Sequence, residues 1–150
     1  MIYEFCAENV TLLEKAMQAG ARRIELCDNL AVGGTTPSYG VTKAAVELAA
    51  NYDTTIMTMI RPRGGVFVYN DLEIAIMLED IRLTALAGSQ GVVFGALTAD
   101  KKLDKLNLEK LITASKGMEI VFHMAFDELS DEDQLEAIDW LSQTGVARIL

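Results

Sequence analysis

The chain reads as an α/β protein of the parallel, TIM-type (β/α) barrel class, with about the first six β/α units present. Three observations carry this expectation. Short apolar runs alternate with amphipathic stretches along all 150 residues. The runs begin near residues 2, 22, 55, 91, 118 and 146, a mean spacing of about 30 residues, as expected when eight units fill roughly 250 residues. Each later run follows its preceding helix after only a few residues, so helices serve as the crossovers and the strands come out parallel. An open doubly wound sheet is the structural alternative, and by length alone it suits the chain better.

Taken in order, Ile2 to Cys6 reads as the first strand. Asn9 can cap a helix through Gln18, which Gly20 stops. Arg22 to Leu26 is the second strand, followed by a loop of Gly33, Gly34, Thr35, Thr36 and Pro37. Ser38 is placed to cap a helix from about Val41 to Ala50. Thr55 to Ile60, rich in β-branched residues and methionine, is the third strand. Arg61-Pro62-Arg63-Gly64-Gly65 forms the next loop. Asn70-Asp71-Leu72-Glu73 has the pattern of a capping box for a helix that Gly88 ends. Gly91 to Phe94 is the fourth strand, Leu106 to Ser115 a helix closed by Gly117, and Glu119 to Phe122 the fifth strand. Ser130 to Asp133 resembles another capping box, its helix running to about Thr144, and Val146 to Leu150 begins the sixth strand.

Residues 1–150 show no break in composition and read as a single barrel domain. The chain stops in mid-strand at Ala147-Arg148-Ile149-Leu150. Strands one and six would then be apolar edges, which stable proteins avoid. The expectation is a domain incomplete at its C-terminus, a segment of a longer chain.

Composition narrows the functional classes. Residues are 51% hydrophobic and 23% charged, an ordinary globular balance. The net charge of −9 repels phosphate backbones and anionic lipid, which argues against nucleic-acid and membrane-surface roles. The first residues lack a basic stretch followed by a long apolar run, so no secretory signal is read, and no apolar stretch is long enough to span a bilayer. Two cysteines are too few for a secreted disulfide scaffold. A cytoplasmic location, where thiols stay reduced, is expected.

In a barrel of this class chemistry sits at the carboxyl ends of the strands. Cys6, Cys27, Arg61, Gly95, His123 and Asp127 fall there or just beyond. Cys6 and Cys27 end neighbouring parallel strands, which lie about 4.8 Å apart. Two thiolates suit a soft ion such as Cu(I), and Met57 or Met59 can add a thioether. Two inert core cysteines are the plain alternative. Glu4 and Glu25 share strand parity with the cysteines. If they point inward they need a cationic partner, and Arg61, held extended by Pro62, is the candidate. These charges are either a register-fixing ion network or a polar floor beneath a ligand.

Arg61 and Arg63, with Gly64 and Gly65, have the chemistry to grip a small anionic ligand. A turn with solvated arginines is the alternative. His123 is the only histidine. Asp127, four residues on, can orient its ring, making the two a catalytic acid–base pair or a structural hydrogen bond.

Several motifs, in order, resemble one family. Arg23-Ile24-Glu25-Leu26-Cys27 and Leu30-Ala31-Val32-Gly33-Gly34-Thr35-Thr36-Pro37-Ser38 look like the signature of the CutC copper homeostasis proteins. So do Met59-Ile60-Arg61-Pro62-Arg63-Gly64-Gly65, Gly91 to Thr98, and Phe122-His123-Met124-Ala125-Phe126-Asp127. The family pattern more often carries Arg at the position of Met124. The resemblance implies a (β/α) barrel, assembly as a dimer or higher homo-oligomer, a role in copper tolerance and, for some members, Cu(I) binding. It implies no particular reaction. Two functional readings follow: a Cu(I)-binding homeostasis protein using Cys6 and Cys27, or a barrel enzyme acting on a small anionic or phosphorylated substrate through Arg61, Arg63, His123 and Asp127. A barrel that has lost its chemistry and serves only association is a third.

Overall fold

A computed structural model describes all residues, 1–150. Six strands, β1 (Glu4–Glu8), β2 (Arg23–Cys27), β3 (Thr55–Met59), β4 (Gly91–Phe94), β5 (Glu119–Phe122) and β6 (Arg148–Ile149), pair in parallel in consecutive order. The helices between them are α1 (Leu13–Gln18), α2 (Tyr39–Ala49), α3 (Asp71–Ala87), α4 (Lys105–Ala114) and α5 (Asp131–Gln143). Consecutive order excludes a doubly wound sheet, whose strand order reverses at a switch point.

The sheet is curled. Arg148 Nη1, on β6, donates to Glu4 Oε2, on β1, at 2.7 Å. Six strands laid flat would hold these two edges about 24 Å apart, far beyond the reach of two side chains. The molecule is therefore the wall of a partial barrel.

Strand parity sorts side chains to two faces. Ile24, Leu26, Ile56, Val92, Phe94, Ile120 and Phe122 point outward and are buried under the helices. Cys27, Met57, Met59, Val93 and Val121 form a separate buried cluster on the inner face. Gly91 makes room for Met57 there, because a Cβ at Gly91 would lie 2.1 Å from the Met57 methyl.

Local chemistry starts the helices where side-chain oxygens meet orphan N–H groups. The Ser38 hydroxyl accepts from Val41 N–H at 3.3 Å. Asn70 and Glu73 complete the reciprocal capping box, at 3.0 and 2.9 Å. Ser130 caps α5 through Asp133 N–H at 3.2 Å. Gly88 ends α3 in the left-handed region at φ 88°.

Two expectations are corrected near the N-terminus. Asn9 is not the cap of α1. It and Leu12 are both left-handed, at φ 56° and 61°, and the helix begins only at Leu13. Strand β1 continues to Glu8, so Cys6 is its middle residue rather than its end.

Candidate functional site

The carboxyl ends of β2, β3 and β5 deliver Cys27, Arg61 and His123 to one rim. The loop after β2 connects the first two. Arg61 Nη1 donates to Val32 O at 2.8 Å and to Gly34 O at 2.9 Å, and a Cβ at Gly34 would stand 3.1 Å from Cys27 Sγ. Gly34 is thus pinned between thiol and guanidinium, in a backbone conformation (φ 88°) that favours glycine.

Register explains why the sulfurs meet. Cys6 pairs with Glu25, and Glu8 with Cys27, so the two cysteines are diagonal neighbours on the inner face. One thiol sulfur from each and a Glu25 carboxylate oxygen all lie within 4.8 Å of one another. Cys27 Sγ donates to Glu25 Oε1 at 3.6 Å. Metal–sulfur bonds of about 2.3 Å put donors on opposite sides of one ion about 4.6 Å apart, so this donor set has the right size for a single soft ion.

The two thiols differ in environment. Cys27 is fully buried and Cys6 is exposed. The closeness of the two thiols, with burial and the nearby Glu25 charge, raises Cys27, and the same closeness lowers Cys6. Burial raises Glu25, against the hydrogen bond from Cys27. A cation entering here would meet two sulfurs and a carboxylate that repel one another when charged, and would relieve that repulsion. Met59 packs in the same inner cluster, its methyl 3.6 Å from a Cβ placed at Gly34. The Met57 sulfur lies against Gly91 instead.

Arg61 is not the partner of Glu4 or Glu25. The partners of Glu4 are Arg148 at 2.7 Å and Arg23 at 3.9 Å, and both arginines also approach Glu119, at 3.3 and 3.4 Å. All four residues open their strands, so this ion network floors the amino-terminal end, away from the rim. Glu25 stands one layer above it with the thiols. Arg61 lies beyond the end of β3, too high to reach Glu4 at the start of β1, and its Nη atoms are taken by the carbonyls of Val32, Gly34 and Gly65 rather than by Glu25.

Arg63 is fully engaged within its own loop. It pairs with Glu73 and donates to Val66 O and Val68 O, both at 2.8 Å, and to Gly64 O at 3.2 Å. Its guanidinium lies 5.3 Å from the Tyr69 ring centre. These bonds fasten the loop onto the start of α3 and leave Arg63 no free fork for an anion.

His123 is fully buried. Its Nδ1 accepts from Ala125 N–H at 3.2 Å, so the neutral ring carries its proton on Nε2. Burial and the Arg61 charge push it down to about 3. Asp127 lies on the exposed side of the 3-10 turn Met124–Glu128 and does not bond to the ring. A backbone amide takes the role expected of Asp127, because the turn folds back over His123.

Sequence reading missed Phe67 and Tyr69. The Phe67 ring centre is 4.8 Å from the Arg61 guanidinium carbon and 4.9 Å from the His123 ring centre. Tyr69 is buried close enough to Arg61 to feel its charge. Their two-residue spacing within a glycine-flanked loop was the available signal.

The model of the CutC family matches residues 1–150. The CutC family protein of Enterococcus faecalis is 55% identical over 150 residues, which are 100% of this chain and 72% of that protein. The crystal structure of CutC from Streptococcus agalactiae superposes with a TM-score of 0.96 at 49% identity, covering 99% of this chain and 71% of that one. The carboxyl transferase domain of Rhizobium etli pyruvate carboxylase, at 12% identity and TM-score 0.64 over 99% of this chain and 26% of that one, shares the fold alone. The inner-face residues described above therefore sit on a shared scaffold, and the chain belongs to the CutC family.

Proposed function

We propose that this protein serves copper homeostasis by binding Cu(I) through Cys6 and Cys27, with Glu25 as a third donor or a charge partner. The cluster of two sulfurs and a carboxylate within 4.8 Å carries the reading. Thiolates select soft, low-coordinate Cu(I), whereas a structural zinc site needs four ligands. The solved relative from Streptococcus agalactiae is described in terms of copper homeostasis, which supports the same assignment. Reduced thiols are required, which fits a cytoplasmic setting.

The test is anaerobic Cu(I) titration against a chromophoric Cu(I) chelator. Cys6→Ala and Cys27→Ala should each weaken binding by more than the about 10–100-fold that loss of an outer-shell partner costs. Glu25→Gln should weaken it less. Unchanged affinity in both cysteine variants would remove the site.

A further inference from the structure

Three buried side chains behind the rim hold polar atoms with no partner. Arg61 is 3% exposed, His123 0% and Tyr69 7%. Arg61 Nε, His123 Nε2 and Tyr69 Oη have no hydrogen-bond partner. The His123 tautomer makes its free nitrogen a donor, because Nδ1 is already the acceptor for Ala125 N–H. All three unpartnered atoms can therefore donate, and buried donors are ordinarily satisfied. Arg61 also lacks a counter-charge. Its bonds run to the carbonyls of Val32, Gly34 and Gly65, which are dipoles and leave the unit charge uncancelled.

A second observation points to what fits. An apolar crevice of about 300 Å³ opens beside this cluster, lined by Val66, Phe67, Val68 and Leu97 among others. Lys101 and Glu128 at its edge neutralise each other at 2.9 Å. Phe67 is the shared wall. It lines the crevice and also packs against both Arg61 and His123.

We propose that this is a binding site for a small organic monocarboxylate. Its carboxylate accepts from Arg61 Nε–H, His123 Nε2–H and Tyr69 Oη–H, and its apolar body takes the crevice once Phe67 turns aside. One negative charge matches the single unpaired guanidinium. A phosphate dianion would leave an extra buried charge, which is strongly disfavoured. The site is separate from the Cys6–Glu25–Cys27 cluster and does not depend on copper.

His123 is the only histidine, so its ring nitrogens give one unambiguous NMR reporter. Titration of the protein with benzoate should shift the Nε2 resonance saturably in the millimolar range, and inorganic phosphate should bind more weakly. Tyr69→Phe removes one donor and leaves the ring packing intact. It should raise the benzoate Kd several-fold, as loss of one hydrogen bond does, with no fall in Tm. Three results would overturn the proposal: no saturable shift with benzoate, equal affinity in Tyr69→Phe and the parent, or phosphate binding as tightly as benzoate.

Discussion

Replacing Gly95 by alanine should destabilise the protein, although alanine normally improves on glycine. Gly95 follows β4 and is buried. An added Cβ would lie 2.8 Å from both His123 Cε1 and Nδ1, and 3.1 Å from the Ala125 Cβ. The imidazole has little room to retreat, because it is fully buried with the rings of Phe67 and Phe122 centred 4.9 and 6.1 Å away. Overpacking of this kind costs about 1–3 kcal/mol. Displacing Nδ1 from Ala125 N–H adds about 1 kcal/mol. The stiffer unfolded chain returns about 0.4–1 kcal/mol. The net loss is about 1–3.5 kcal/mol, which at this chain length lowers Tm by about 2–14 °C. Gly40→Ala is the control. Gly40 lies in α2 with only Ser38 Oγ near its Cβ position, at 3.9 Å, so alanine there should add about 0.5–1 kcal/mol. Thermal and urea unfolding of both variants gives the comparison. A Tm for Gly95→Ala equal to or above that of the parent would refute the packing described around His123.

Copper affinity should depend on pH. Cys27 holds its proton more tightly than an ordinary thiol, through the neighbouring Cys6 thiol, burial and the Glu25 charge, so Cu(I) must displace that proton. Affinity should rise about tenfold per pH unit between about pH 6 and 8 for each proton released. A flat profile in competitor titrations would count against thiolate ligation by Cys27. His123 makes the opposite end of the pH range informative. Its folded value is pushed down to about 3, against about 6.5 when unfolded. Only the unfolded chain takes up this proton as pH falls between those values. The stability is fully present above about pH 6.5 and is lost below it, at up to about 1.4 kcal/mol per pH unit. Urea unfolding at about pH 7 and pH 5 should therefore show a loss near 2 kcal/mol that His123→Asn largely lacks. Equal losses in the two proteins would contradict the buried neutral ring.

Much of the fold was legible because its signals are local. The capping residues Ser38, Asn70 with Glu73, and Ser130 all act as caps, since each needs only a neighbour three residues away. Strand parity correctly grouped Cys6, Glu25 and Cys27 on one face. Strand height was not legible. It depends on the stagger between strands, and without it Arg61 was matched to Glu4 and Glu25. Arg23, two residues before Glu25 on the same face, was the better candidate by parity. The pairing of His123 with Asp127 failed for a related reason. Four residues of separation suit a helix, but the segment folds as a tight 3-10 turn that offers a backbone amide first.

The Arg61 guanidinium joins two loops that are far apart in sequence. Its Nη1 holds Val32 O and Gly34 O in the loop after β2, and its Nη2 holds Gly65 O in the loop after β3. Val32 and Gly64 are also in direct apposition, since a Cβ at Gly64 would fall 2.7 Å from Val32 Cβ. Neither loop can open while the other stays shut, so they should release their amides to solvent exchange in one cooperative step. The thiol of Cys27, lying against Gly34, would become accessible in that same event.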